Sequence, residues 1–408
     1  MADLHICDVR LPDASIGCVQ VIDGLITDIA PEVEHADGSP VLNGNGGYLI
    51  PGLVDAHAHV DKTTWGLPYR PHSAGPTLLD LTDNERRVRG RLGLTVEDRA
   101  RALLTECIAQ GTTSMRTHVD VDDENGLESV EGVARAVRSL EGQIDVQIVA
   151  FPQSGLLRRP GTAELLEKSL SAGADIVGGL DPAGFDRDPV AHLSRVFGIA
   201  ERHGAPVDIH LHDGGELGAW QLELIAENTR ARGMSGQVTV SHAFALGDVG
   251  VARQHELAEQ LADSGVGIAT VAPGGHAMIP IKLLSEHGVR VCCGNDGVRD
   301  LWGPFGTGSM LERAMLVAYR CGFRRDEDLE LCLDIATRGG ARVLGIESGY
   351  GLAKGDRADF LVARAQSAAE AVSRPERPLL VVKAGRVVAR QDGVEATPAA
   401  RHREESRR

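Results

Sequence analysis

The chain has 408 residues, of which 42% are hydrophobic and 25% charged, a composition typical of a globular protein with a large core. Its formal net charge of −16 argues against nucleic acid or an anionic membrane surface as a partner. No apolar run reaches the roughly 18 residues that a transmembrane helix needs, and the first residues show no basic, apolar signal region. We therefore expect a cytoplasmic protein without membrane contact, and the sequence leaves assembly into a homo-oligomer open.

Seven cysteines are spread along the chain without a Cys-x-x-Cys pair or a regular framework. Such usage predicts reduced, mostly buried thiols. They are Cys7, Cys18, Cys107, Cys292, Cys293, Cys321 and Cys332.

The first elements are short and β-like, at residues 4–10, 18–23 and 25–29, with a hairpin turn at Asp23-Gly24. Eight longer strand-like segments follow, at residues 48–57, 113–119, 145–151, 174–180, 206–212, 237–242, 265–271 and 289–296. Between them lie helical segments at 96–110, 127–140, 163–172, 189–203, 216–232 and 246–264, and two β-like pieces come last, at 360–363 and 379–386.

Strands that alternate with helices indicate a parallel sheet with crossover helices, and eight of them indicate an α/β fold of the (β/α)8 TIM barrel type. We expect this barrel at residues 50–355. Residues 1–49 and 356–394 are predicted to form one small β-sandwich domain, and residues 395–408 a frayed tail.

The pair His57 and His59 follows an apolar stretch, residues 48–54, that Pro51-Gly52 interrupts. Alternate side chains of a strand point to the same face, so both imidazoles can reach one ion. A His-x-His pair alone is a weak signal. Its weight depends on which residues lie near it.

Polar residues also end most of the other predicted strands, and barrel enzymes build their active sites at that end of the barrel. Only 15 histidines occur in the chain, so their concentration at strand ends indicates one shared site. The residues concerned are His118, Gln153, His210, His212, His242 and Asp296.

Three imidazoles and a carboxylate suit a divalent transition ion that keeps a position open for water. We predict His57, His59, His210 and Asp296 as its ligands. Such an ion lowers the pKa of bound water toward about 7, which supplies hydroxide at neutral pH, and Asp296 can also accept the water's proton. His242 is expected to polarise the substrate or the hydroxide.

The residues around these positions resemble the amidohydrolase superfamily, and within it the cytosine deaminases, over nearly all of the predicted barrel and both flanks. The matching stretches are 50–61, 116–120, 145–153, 207–210, 240–242, and Leu301-Trp302 followed by Gly306-Thr307. The resemblance implies that the same four ligands bind one zinc or iron ion. It further implies that Gln153 orients the substrate and that Trp302 forms an aromatic pocket wall.

Other residues near the site have more than one interpretation. His118 is predicted either to line the substrate pocket or to cap the second strand, and His212 to lie behind the ligands. Lys62 is interpreted as a solvated loop lysine and Asp61 as a residue that orients that loop or takes part in the chemistry. Relatives with two metals use a lysine or glutamate of the fourth strand, but residues 177–182 contain neither, so one metal is expected.

The chain departs from the deaminases at two positions. They carry a proton-transferring glutamate three residues after the fifth-strand histidine, where this chain has Asp213. Because a displacement of about 1 Å can cost a hundredfold in rate, either the backbone brings Asp213 closer, or Glu216 reaches in, or the reaction does not need the group. Cytosine deaminases also carry a second acid after the metal aspartate, and here that residue is Gly297.

Three functions are compatible with this pattern. The first is hydrolytic deamination of a cytosine-like heterocycle, in which hydroxide attacks the amino-bearing carbon and ammonia leaves. The second is hydrolysis of a cyclic amide or an N-substituted heterocycle by a site that lacks the deaminase glutamate. The third is a non-catalytic barrel kept as a binding protein.

Overall fold

The computed structural model describes residues 4–31, 41–391 and the backbone of 393–394. Its strands in chain order are β1 Leu4–Arg10, β2 Ile16–Ile22, β3 Leu25–Ala30, β4 Val41–Pro51, β5 Leu53–His59, β6 Thr112–Asp120, β7 Asp145–Phe151, β8 Ile176–Leu180, β9 Val207–Leu211, β10 Val238–His242, β11 Gly267–Thr270, β12 Val291–Cys293, β13 Asp296–Gly297, β14 Phe360–Ala363, β15 Leu380–Lys383, β16 Arg386–Arg390 and β17 Gly393–Val394. They form two sheets.

The helices surround the second of these sheets. They are α1 Leu78–Arg89, α2 Val96–Ala109, α3 Glu128–Ser139, α4 Thr162–Ala172, α5 Pro189–His203, α6 Gly215–Ala231, α7 Ala245–Asp248, α8 Val251–Ser264, α9 Ile281–Glu286, α10 Met310–Cys321, α11 Asp326–Ile335, α12 Arg338–Leu344 and α13 Ala368–Ser373. Within the described ranges, none of them is both long and apolar enough to cross a membrane.

The first sheet joins the two ends of the chain. Its strand order is β17-β16-β15-β14-β4-β1-β2-β3, and the antiparallel pairing of β14 with β4 places Phe360 opposite Pro51. Strands β1 and β4 are parallel and the other neighbours antiparallel. Buried apolar residues from both chain ends, among them Ile6, Val19 and Phe360, form its core.

The second sheet is parallel throughout and has the order β12-β11-β10-β9-β8-β7-β6-β5-β13. Its two outermost members are consecutive pieces of one segment, because only Gly294 and Asn295 separate β12 from β13. One piece pairs with β11 and the other with β5. The sheet therefore curls back on itself, which is consistent with a TIM barrel. Most of its strands are entirely buried, as expected when helices cover a parallel sheet.

Gly294 and Asn295 bring the last strand segment against the first strand of the parallel sheet. A Cβ on Gly294 would lie 2.4 Å from the backbone N and O of His57, so the close approach requires glycine. Asn295 donates from its backbone N and its Nδ2 to the two carboxylate oxygens of Asp55, at 3.0 and 2.8 Å. These contacts set the distance between Asp296 and the two histidines of β5.

Most predicted strands and helices are found within a few residues of their expected bounds, with three corrections. Residues 48–51 belong to β4 in the terminal sheet and not to the first strand of the parallel sheet. The single helix expected at 246–264 is divided into α7 and α8, and the piece at 379–386 spans β15 and the start of β16, with a turn at Ala384-Gly385. Residues 395–408, predicted as a frayed tail, lie outside the described residues.

The expectation of seven reduced cysteines is wrong for one pair. Cys7 on β1 and Cys18 on β2 form a disulfide bond, since the antiparallel pairing of these strands brings them together. The other five cysteines are free thiols, and all but Cys321 are buried.

Candidate metal centre and active site

The predicted ligand histidines meet at one end of the parallel sheet, where β5 and β9 end. His57, His59 and His210 are each at most 5% exposed. The Nε2 atoms of His59 and His210 are 3.2 Å apart. Asp296 Oδ1, from β13, lies 3.6 Å from His57 Nε2 and 3.4 Å from His59 Nε2.

These distances are those expected of atoms that share one ion. A tetrahedral site with bonds of about 2.0–2.1 Å has ligand atoms roughly 3.3 Å apart. His57 Nε2 is buried and has no hydrogen-bond partner in the described part of the chain, which is costly for a polar atom unless something else satisfies it. The residues present therefore fit a bound divalent ion.

His242 and His118 extend the cluster. His242 lies with His57 and Asp296 in one group of potential ligand atoms, and His118 with His57, His59 and His210 in another. The ring centroids of His118 and His57 are 4.3 Å apart. The structure thus brings all of these predicted site residues together.

Two of them have backbone angles that are unusual for residues with a side chain. His242 has a φ of 70° and Asp296 a φ of 61°, in the left-handed region that favours glycine. Such strain is concentrated at functional sites, where the surrounding structure compensates for it. Here the two residues are the last of β10 and the first of β13.

Burial keeps three imidazoles of the cluster neutral. It lowers the pKa of His59, His210 and His242 well below the ordinary histidine value, so these imidazoles are available as ligands at neutral pH. For Asp296, burial raises the pKa, but the nearby imidazoles of His57, His242 and His59 outweigh it and hold the pKa well below its usual range.

A buried polar chain supports His57 from behind. Its Nδ1 lies 2.8 Å from Ser241 Oγ, which donates to Asp208 Oδ1 at 2.8 Å. Asp208 also accepts from Arg116 Nη1 at 2.9 Å and lies 3.3 Å from His118 Nε2. Such partners fix the orientation of a ligand imidazole. No local sequence pattern pointed to these hydrogen-bonded partners, because Arg116, Asp208 and Ser241 lie on three different strands, β6, β9 and β10.

Lys62 is buried, so its interpretation as a solvated loop lysine is wrong. Its Nζ donates to Asp120 Oδ1 and Gln153 Oε1, both at 2.9 Å, and to Glu85 Oε2 at 3.4 Å. The ammonium thus holds Gln153 in place and balances two buried carboxylates. Trp302 joins the same group, because its Nε1 donates to Glu85.

Both predicted replacements for the deaminase glutamate have protein partners in the structure. Asp213 Oδ2 accepts hydrogen bonds from Gly184 N at 2.7 Å and Gln221 Nε2 at 2.8 Å. Glu216 has a side chain that is 73% exposed and pairs with Arg253 on α8. Asp213 Oδ2 and the Glu216 carboxylate are therefore engaged by residues outside the histidine cluster.

His212 and Asp181 form a pair that the sequence analysis did not identify. Asp181 Oδ2 lies 2.7 Å from His212 Nδ1, and the His212 ring centroid is 4.3 Å from that of His242. Burial alone would lower the pKa of His212, but the Asp181 carboxylate reverses the effect and raises it. Asp181 directly follows β8, and its place at a strand end is the signal that could have identified it.

A cavity of about 350 Å³ lies between the loop after β5 and the loop after β13. Its lining includes Thr64, Trp65, Leu67, Asp300 and Leu301. Thr63 Oγ1 donates to Val298 O at 2.7 Å, which ties the two loops together.

Known proteins are similar to this chain in sequence and in fold. The Amidohydro_3 model, amidohydrolase family, matches residues 41–389. The chain is 33% identical to N-isopropylammelide isopropyl amidohydrolase of Pseudomonas sp. strain ADP over 87% of this chain and 89% of that protein.

Two solved structures are similar over nearly the whole chain. N-isopropylammelide isopropylaminohydrolase from Burkholderia multivorans is 42% identical with a TM-score of 0.93, covering 97% of this chain and all of that one. The 5-methylcytosine deaminase from Klebsiella pneumoniae, liganded with 5-fluorocytosine, is 27% identical with a TM-score of 0.83 over the same shares. The chain therefore belongs to the amidohydrolase family.

Proposed function

We propose that this hydrolase displaces an amino substituent from a ring carbon of a planar nitrogen heterocycle of the cytosine or ammelide type. The observation that carries the proposal is the convergence of His57, His59, His210 and Asp296 on one point, beside the anchored Gln153. The names of the relatives, an N-isopropylammelide hydrolase and a 5-methylcytosine deaminase, support this substrate class.

These four residues would hold one zinc or iron ion, and the family relationship supports its presence. A divalent ion bound there supplies hydroxide at neutral pH. Asp296, whose carboxylate faces the same point, accepts the proton released there. His242, close to both, donates to the oxygen that forms at the reacting carbon, as a general polarising group.

Gln153 and Trp302 orient the ring. Lys62 holds Gln153 Oε1, which leaves the amide NH2 to recognise a ring acceptor. Trp302, fixed through Glu85, provides an aromatic wall next to Lys62, whose Nζ is 5.4 Å from the ring centroid. His118 is best assigned to packing behind the ligands, since it is fully buried and contacts Asp208.

The pair His212–Asp181 takes the place of the deaminase glutamate. Asp181 binds Nδ1 of His212, and in the described residues no hydrogen bond occupies Nε2. A carboxylate that holds one imidazole nitrogen leaves the other free for proton transfer. His212 therefore delivers a proton to the departing amine, whereas Asp213 and Glu216, with other partners, do not.

Release of ammonia is the first candidate reaction, and release of an alkylamine the second. The second is favoured by the 42% identity to the N-isopropylammelide enzyme and by the absence of the deaminase glutamate. Both reactions use the same ring, nucleophile and proton donor, and differ only in the group attached to the leaving nitrogen.

The test is a panel of aminopyrimidines, aminotriazines, their N-alkyl derivatives and creatinine, incubated with zinc- or iron-loaded protein. Ammonia and alkylamine release are measured separately. We expect Asp181→Asn and His212→Asn to lose activity, while Asp213→Asn and the exposed Glu216→Gln, as matched controls, retain it. Silence of the wild type across the panel, despite bound metal, contradicts the proposal.

We also propose the architecture in its finer form. The parallel sheet is an eight-stranded (β/α)8 barrel whose last strand comprises β12 and β13, spanning residues 50–355. Residues 1–49 and 356–394 form the small β domain as a sandwich-like unit. Cytoplasmic location and assembly into a homo-oligomer stay predictions.

A further inference from the structure

Asp300 lies in the loop after β13 and fills the space beside Gly297. A Cβ built on Gly297 would lie 1.9 Å from Asp300 Oδ2. Gly297 follows Asp296 directly, at the position where the sequence lacks the second acid of the cytosine deaminases. The carboxylate of Asp300 therefore occupies the space that a side chain at position 297 would take.

One oxygen of this carboxylate is held and the other is available. Asp300 Oδ1 accepts from the backbone N of Trp302 at 2.8 Å and of Gly303 at 2.9 Å. In the described ranges, Oδ2 makes no hydrogen bond, although Asp300 is only 4% exposed. A carboxylate oxygen that no protein group engages, on a side chain held in place through its other oxygen, can accept a hydrogen bond from a ligand.

The surroundings of Asp300 are those of a binding site. It lines the 350 Å³ cavity between the loops after β5 and β13. Burial raises its pKa to about 6, and the charges of Lys62 and Asp296 also influence it. The carboxylate thus experiences the charges of Lys62, which holds Gln153, and of the candidate metal ligand Asp296.

We propose that Asp300 Oδ2 accepts a hydrogen bond from a ring N–H of the substrate and so selects heterocycles that carry a donor on the edge facing Gly297. This inference rests on the proposed function and narrows its substrate class. Asp300 is a substrate-binding residue supplied from a loop, in place of an acid on the strand itself.

Asp300→Asn tests the assignment with little disturbance of the loop. The amide oxygen can still accept from Trp302 N and Gly303 N, while Oδ2 becomes an NH2 donor. The probes are uracil, which has two ring N–H groups, and 1,3-dimethyluracil, which has none. Calorimetry measures both dissociation constants on zinc-loaded protein, and the ratio of the two constants does not depend on the fraction of folded protein.

We expect wild type to prefer uracil and Asp300→Asn to reduce that preference about 10- to 100-fold, the effect of one hydrogen bond to a charged group. Asp188→Asn is the matched control, because Asp188 caps α5 through Ala191 N at 3.0 Å. It should leave the ratio unchanged. Zinc content, measured by elemental analysis, should be the same in all three proteins.

An unchanged ratio in Asp300→Asn overturns the inference and reduces Asp300 to a turn-forming residue. Wild type that binds both probes equally, or neither, also overturns it. The amine-release panel decides the proposed function separately. If wild type turns over panel substrates but Asp300→Asn leaves the ratio of dissociation constants unchanged, only the role of Asp300 is refuted. If the ratio shifts but wild type is inactive on the panel, only the proposed reaction is refuted.

Discussion

Lys62→Met tests whether the buried ammonium holds the substrate side of the site together. Lys62 is 4% exposed and is the shared partner of Asp120, Glu85 and Gln153. Methionine has a similar length but no charge, so the variant leaves two buried carboxylates without their cation. Burial raises the pKa of Asp120 well above its ordinary value even in the presence of Lys62, which shows how poorly solvated that carboxylate is.

Removing one partner of a buried ion pair costs about 3–5 kcal/mol, because the other charge stays buried. We therefore expect Lys62→Met to lower the unfolding free energy by about that amount, measured as a fall in Tm by calorimetry. Lys62→Met/Asp120→Asn should recover part of the loss, since the two residues are coupled. Turnover should fall as well, because Gln153 loses its hydrogen-bond donor.

Lys282→Met is the matched control. Lys282 has a side chain that is 48% exposed and pairs with Asp328 on the surface, so its loss should cost at most about 1 kcal/mol. If Lys62→Met were no less stable than Lys282→Met, the reasoning about the buried network would be refuted.

Three further predictions concern the metal centre. Ser241→Ala should weaken zinc binding about 10- to 100-fold, because His57 Nδ1 loses its hydrogen-bond partner. Competition with a chelator measures the affinity. Ser264→Ala, which removes a buried serine bonded to Leu261 O, is the control and should behave as wild type. Gly294→Ala should destabilise the fold by roughly 1–3 kcal/mol, seen as a lower Tm, because its Cβ collides with the backbone of His57. Its zinc content should fall as well. Normal values of both Tm and zinc content would contradict the packing argument. Zinc at 100 times its Kd should stabilise wild type by about 2.7 kcal/mol, and His57→Ala should abolish that rise in Tm; an equal rise in the variant would place the ion elsewhere.

Local patterns in the sequence were sufficient for the order of the elements. The alternation of apolar strands and amphipathic helices predicted the parallel strands β6 to β11 and helices α2 to α6 close to their bounds, since periodicity reflects which face of an element is buried. Segments whose partners are distant were predicted less well. Residues 48–51 are as apolar as a barrel strand, and only their pairing with β14 assigns them to the terminal sheet.

The sequence by itself determined the strand-end residues: His57, His59, His210, His242 and Asp296 were recognised because a parallel fold gathers strand ends at one edge. Only the tertiary structure decided the partners of the remaining polar groups. Whether Lys62 is solvated or buried, and which carboxylate contacts His212, depends on contacts between residues far apart in the chain. Those contacts are set when the sheet curls, which no local pattern encodes.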